Sequence, residues 1–188
     1  MTNAVNLRQR IARRAEEHAL DPPVSMLVTG DTHLSPRRDW LPEPLIAAAS
    51  EVDVIIHTGD FCTENALQMF RDLGPLLAVR GNNEDGSIHA SLPDLISIQV
   101  GRNRILVTHG HRELGPSANK AVQHAYSGTS GIVIFGHSHR PLWEEVNQTW
   151  FLNPGSPTMR RREPQCSFAR LEVRRDGSFD ALFTLFDV

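Results

Sequence analysis

Cysteine is scarce in this chain of 188 residues: only Cys62 and Cys166 are present, at no spacing that suggests a zinc clip or a disulfide framework, which fits a reducing compartment. Long apolar runs are missing too. None approaches the roughly 18 residues a membrane helix needs, and the N-terminus lacks the apolar core of a signal peptide. Neither sign of charge dominates, since 19 basic side chains face 22 acidic ones, for a net charge of -3. That balance argues against a broad basic face for extended nucleic acid, though a local positive site remains open. With 40% hydrophobic and 22% charged residues, the composition is that of one soluble domain, expected in the cytoplasm.

What is present is a repeated ending. Five short apolar runs break off into a small residue plus a metal-ligand type: MLVTGDTH (26–33), VIIHTGD (54–60), LLAVRGNNE (76–84), ILVTHGH (105–111) and VIFGHSH (133–139). Aliphatic runs of this length read as buried strands. Open α/β sheets bind ligands at the carboxyl ends of their strands, so Asp31, His33, Asp60, Asn82, His109, His137 and His139 are expected to meet at one sheet edge. The reading is a two-metal hydrolase.

The punctuation between the runs alternates. Positions 44–50 read as a short helix, and 63–73 as another, with Thr63 as N-cap and Gly74 just past the end. A hairpin around Gly101-Arg102-Asn103, a helix over 117–126, and paired strands 142–146 with 149–152 and 167–173 with 179–186 follow, the last pair joined at Asp176-Gly177. Two packed sheets with helices outside fit this order. Upstream, Leu7, Ile11, Ala15 and Ala19 at four-residue spacing predict an amphipathic helix over 5–20, stopped by Asp21-Pro22-Pro23, so that 1–22 forms an N-terminal extension.

The pair Asp31 and His33 lies two apart, as do His109 with His111 and His137 with His139, and in extended chain such pairs share a face. Two divalent cations with two carboxylates and one hydroxide leave about one positive charge, so the pocket attracts an anion such as a phosphoester. Nitrogen and oxygen donors without thiolate suit manganese first, with iron, cobalt, nickel or zinc as alternatives.

In order and spacing, Asp31/His33, Gly59-Asp60, Gly81-Asn82, His109-Gly110-His111 and Gly136-His137-Ser138-His139 resemble the motifs of the calcineurin-like metallophosphoesterase superfamily, and in particular its small single-domain prokaryotic phosphodiesterases. Asn153-Pro154-Gly155-Ser156 matches a further recurring feature of that subgroup. The resemblance implies a metallophosphoesterase domain over 23–188 and an α/β fold, a four-layer α/β/β/α sandwich. It also implies roles: Asp31, His33 and His139 on one metal, Asn82, His109 and His137 on the other, and Asp60 bridging them, with a metal-bridging hydroxide as nucleophile. Asn82 also steers the phosphate in this reading, and His111 is substrate-facing or supports a ligand, so that Asp60, Asn82 and His111 are the candidate catalytic residues.

One position departs from the larger phosphatases, which carry a histidine after G-N where this chain has Asn83. A neutral amide is no general acid. The expected substrates therefore have leaving groups that need little protonation, or His111 or water supplies the proton. Other residues get plain readings: His57 as a hydrogen-bonded core histidine, Cys62 as a buried inert thiol, His89 and His124 without pattern, and Arg160-Arg161-Arg162 as either a solvated run or a contact to a second phosphate. The expected partner is a small phosphodiester, with no membrane and a homo-oligomer left open. Two alternatives stand beside the phosphodiesterase: a non-catalytic protein-binding scaffold, as the same fold serves in a retromer subunit, and a phosphomonoesterase.

Overall fold

The computed structural model describes residues 14–188 apart from positions 38, 114, 116 and 130. The apolar runs become β2 (Val24–Thr29), β3 (Val54–His57), β4 (Leu76–Ala78), β6 (Asn103–Thr108) and β7 (Gly131–Ile134). Around them lie β1 (Ala15–Leu20), β5 (Leu95–Val100), β8 (Leu142–Val146), β9 (Thr149–Asn153), β10 (Cys166–Val173) and β11 (Phe179–Phe186). They form a six-stranded sheet in the order β1-β5-β6-β7-β9-β8 and a five-stranded one in the order β11-β10-β2-β3-β4. Both are mixed: β2, β3 and β4 run parallel, as do β6, β7 and β9.

Central strands buried on both faces read as continuous apolar runs rather than alternating ones, and the burial explains it. One side of β2 and β3 (Met26, Val28, Ile56) packs against Ile98, Ile105, Val107, Ile132 and Ile134 of the other sheet. Their opposite side (Leu27, Ile55) meets Leu45 and Ala49 of α1 (Glu43–Ala49), Leu67 and Phe70 of α2 (Glu64–Leu73) and Ile88 of α3 (Gly86–Ser91). On the far side of the six-stranded sheet, Leu106, Val133 and Phe151 pack on Val122 and Tyr126 of α4 (Ala118–Tyr126). Four layers result, as expected. The Thr63 hydroxyl caps α2 by accepting from the Ala66 N–H at 3.2 Å, while the short α3 carried no periodic signal and was not predicted.

The N-terminal helix is corrected where the structure describes it. Residues 15–20 form β1, paired in parallel with β5 from Ala15 opposite Leu95 to Leu20 opposite Val100. Alanine and glutamate favour a helix in isolation, but β5 offers an open row of backbone donors and acceptors, and pairing with it overrides propensity. Exposed Glu16 and Glu17 then put charge on what is an edge strand. The rest of the predicted helix lies outside the described residues.

Candidate metal centre

Register brings the predicted residues together. Thr29 on β2 pairs with His57 on β3, and beyond the strands the Asp31 N–H donates to the Gly59 carbonyl at 2.8 Å and the His33 N–H to the Asp60 carbonyl at 2.9 Å. In the other sheet the Gly136 N–H donates to the His109 carbonyl at 3.1 Å. At these strand ends the backbone turns left-handed: φ is +54° at Asp31, +44° at His33, +62° at Asp60, +69° at His137 and +59° at His139. Such angles cost about 1 kcal/mol or more at each residue that carries a Cβ, and they aim successive side chains back to one point. Glycine stands where there is no room for a side chain. A Cβ on Gly81 would overlap the Asp60 carboxylate, and one on Gly59, itself at φ +98°, would lie 2.6 Å from the Gly81 nitrogen.

Two groups form. Asp31, His33 and His139 make one and Asp60, His109 and His137 the other, with the donor atoms of each within 4.8 Å of one another. Asp60 Oδ2 lies between them, 3.4 Å from His33 Nε2 and 3.4 Å from His109 Nε2. Asn82 joins the second group through its carbonyl oxygen, 3.1 Å from His109 Nε2. The seven predicted ligands thus share one site.

Their chemistry calls for cations. The Nδ1 of His109 donates to the Thr58 carbonyl at 2.7 Å and that of His139 to the Met159 carbonyl at 2.5 Å, which turns both Nε2 atoms inward and leaves the Nε2 of a neutral His139 as a bare lone pair. The His139 lone pair then faces His33 Nε2 at 3.2 Å, and His109 Nε2 lies 3.1 Å from the Asn82 oxygen and 3.4 Å from Asp60 Oδ2; against its burial, the hydrogen bond and charge of Asp60 hold His109 above the ordinary imidazole value. Protons on His33 and His109 can bridge these contacts, and bound cations would displace them. Asp31 is fully buried, and neither of its carboxylate oxygens has a hydrogen bond of ordinary geometry. Its nearest imidazole nitrogens, His139 Nε2 at 3.9 Å and His109 Nδ1 at 4.0 Å, stand beyond hydrogen-bond reach, and a buried carboxylate so weakly met is costly unless it coordinates a metal. The residues present therefore fit a pair of divalent cations.

Titration follows the same logic. Burial pushes Asp31 up to about 7, with the positive His109 opposing and the negative Asp60 adding. Burial also presses on Asp60, but the hydrogen bond and charge of His109, then the bonds from Asn83, hold it well below the carboxylate range. Burial lowers His33 and His137, and takes His139 down to about 4 against the pull of the Met159 carbonyl. These imidazoles stay neutral, the form a metal binds.

Several residues hold the ligand loops without being ligands, and the sequence reading missed them. Glu84 accepts from the backbone N–H groups of Asp60 at 2.7 Å, Cys62 at 2.9 Å, Gly81 at 3.0 Å and Phe61 at 3.3 Å, tying the second and third motifs into one unit. The segment after β9 clamps the first motif: Ser156 donates to the Asp31 carbonyl at 2.8 Å and Thr158 to the Thr32 carbonyl. Asn153 donates to the Gly136 carbonyl at 2.9 Å and Ser138 Oγ at 3.0 Å, steadying the fifth motif. The only signal for this segment was the recurring Asn-Pro-Gly-Ser itself, and Glu84 had none.

The remaining predicted residues divide. His111 lies beside the second group, its ring 5.2 Å from that of His109, with Nε2 accepting from the Arg112 Nε–H at 3.3 Å. Burial and the charges of His109 and Arg112 push it down to about 4. Asn83 turns onto Asp60 rather than outward, its amide donating to Oδ2 at 2.8 Å. His57 is fully buried, accepts from the Gly59 N–H at 3.1 Å and stacks on Phe61. Cys62 stands 3.4 Å from His33 Nδ1 on the side away from the cluster, a thiol pushed by burial and nearby carboxylates up to about 12. Arg160 closes its own turn onto the Glu163 and Pro164 carbonyls, whereas the charge of Arg161 reaches Asp31 and His139. Trp143 and Trp150 pack on each other and on Phe179, while Trp40 is exposed.

Known proteins resemble this chain to different degrees. The sequence model of the calcineurin-like phosphoesterase superfamily domain matches residues 24–176. A probable metallophosphoesterase of Methanocaldococcus jannaschii is 32% identical over 148 residues, which cover 78% of this chain and 74% of that protein. A phosphodiesterase of the same organism is 29% identical over 116 residues, 55% of this chain and 67% of that one. Among solved structures, Vacuolar Protein Sorting 29 from Cryptosporidium parvum superposes with a TM-score of 0.68 at 20% identity, covering 88% of this chain and 99% of that chain, a likeness of fold.

Proposed function

Because the chain belongs to the calcineurin-like phosphoesterase superfamily, we propose that it is a two-metal phosphodiesterase acting on small diesters, with manganese as the first choice of cation. The observation that carries this reading is the convergence of Asp31, His33 and His139 in one group and of Asp60, His109 and His137 in another, around an Asp60 oxygen common to both. Asp31, His33 and His139 would hold one cation, Asn82, His109 and His137 the other, and Asp60 both. A bound pair supplies Lewis-acid stabilisation of phosphoryl charge and a nucleophile drawn from water at neutral pH. The chain's own work is to hold these donors still and to keep His33, His137 and His139 neutral, while His109 would give up a proton on binding. His111 stands beside the second group, where a substrate oxygen would approach.

Similarity to a phosphodiesterase favours the diester reading, and Asn83 in place of a general acid points the same way. The likeness of fold to a vacuolar sorting protein keeps a protein-binding role as the second reading. We place it in the cytoplasm on its composition; among the described residues no helix is long and apolar enough to cross a membrane. The test is turnover of bis(p-nitrophenyl) phosphate beside p-nitrophenyl phosphate, after chelation and again after manganese is returned. Manganese-restored turnover of the diester above the monoester is expected. A monoester preference would make the protein a phosphomonoesterase, and no restored turnover of either would favour protein binding.

A further inference from the structure

Asp60 has more claimants than lone pairs. An ionised carboxylate offers about four acceptor positions, two on each oxygen. Oδ1 is filled by the backbone N–H groups of Asn82 at 2.8 Å and Asn83 at 2.9 Å, so any cation must use Oδ2. That oxygen faces both histidine groups at 3.4 Å, as a shared ligand must, yet it also accepts from the Asn83 side-chain amide at 2.8 Å. Two cations and one N–H on a single oxygen exceed its two positions by one.

We propose that Asn83 is a positioning residue that competes with the metals for Asp60 Oδ2, and that binding of the cation pair displaces its amide from the carboxylate. This rests on the two-cation reading above. The backbone contacts to Oδ1 need not change, because Gly81 leaves the chain at 81–83 close against the carboxylate and Glu84 pins it from behind. The displaced amide keeps two N–H donors at the edge of the site, where an anionic phosphoryl oxygen would accept them. Asn83 then replaces a proton-donating histidine not with an idle residue but with a latch on the bridging ligand.

The experiment is a zinc titration of metal-stripped, full-length protein, followed by 15N NMR of the Asn83 side-chain amide and by calorimetry. The amide is identified by its loss in Asn83→Ala. We expect its resonances to move and its exchange with water to quicken as the second equivalent binds, while the backbone N–H groups of Asn82 and Asn83 stay protected. We also expect Asn83→Ala and the near-isosteric Asn83→Leu to bind the second equivalent about tenfold more tightly, since a competing charge-assisted hydrogen bond is gone. Damage to the fold would weaken binding instead. Two equivalents bound with an unmoved amide, or variants that bind zinc no better than wild type, would overturn the proposal and leave the two-cation reading standing. Binding of one equivalent only would overturn both.

Discussion

The two ends of the sandwich use the same backbone conformation for opposite purposes. At the ends where β6, β9 and β2 begin, left-handed residues make tight hairpins: Gly101 before β6, Asn147 and Gln148 before β9, and Gly177 in the turn from β10 to β11. There the local turn satisfies its own hydrogen bonds, as where Ser178 donates to Asp176 from both backbone and hydroxyl. At the carboxyl ends of the parallel strands, Asp31, His33, Asp60, His137 and His139 take up the same region without forming hairpins, and they gather the candidate ligand atoms into two groups. One end closes its own turns; the other uses the same conformation to aim ligand groups at one point.

The sharpest way to break this contrast is Asp31→Asn. Metal-dependent turnover should fall about 10³-fold, the scale of losing several kcal/mol of charge stabilisation, while the metal-stripped protein becomes more stable by about 1 kcal/mol or more at pH 7. The sign follows from linkage. Asp31 sits at about 7 when folded against an ordinary 3.8, so the folded state holds the proton more tightly, and stability is lost as pH rises from about 4 to about 7. The variant escapes that loss, so its advantage over wild type should grow across this window in thermal melts. An advantage independent of pH would contradict the burial argument.

A smaller effect tests whether the site end depends on remote anchoring. Glu84→Gln keeps the shape but removes the charge behind four backbone N–H bonds. It should cost about 1–2 kcal/mol in denaturant unfolding and about 10–100-fold in kcat/KM, with measurably weaker manganese binding. Wild-type manganese affinity in this variant would mean that the loops hold themselves. The smallest change belongs to the far end. Gly177→Ala forces a Cβ into φ +80° against the Arg102 side chain and should cost about 1–2 kcal/mol of stability while manganese affinity and turnover stay as in wild type.

Much of the fold was legible because burial on both faces writes apolar runs that can be read directly, as at Val54–His57 and Gly131–Ile134. Two elements were not. Ala15–Leu20 reads as helix since its Ala and Glu residues prefer one, and only the free edge of β5 makes it a strand. The short α3 lacks the length for a periodic signal, with Ile88 as its one buried residue. Within the site, the ligand types were legible from their place after each strand. Glu84 and Ser156 were not, because their work is to meet backbone groups that the sequence does not place.

Spacing alone determined that acceptor side chains would stand at the carboxyl ends of several strands, for a strand's length and its small terminating residue are local properties. Tertiary structure decided the rest: that β2 and β6, from different sheets, end at the same place, that His109 and His139 turn their Nε2 atoms inward, and that Asn83 reaches Asp60. The reason is that a hydrogen bond and an electrostatic field act over a few ångströms in space, whatever the distance along the chain.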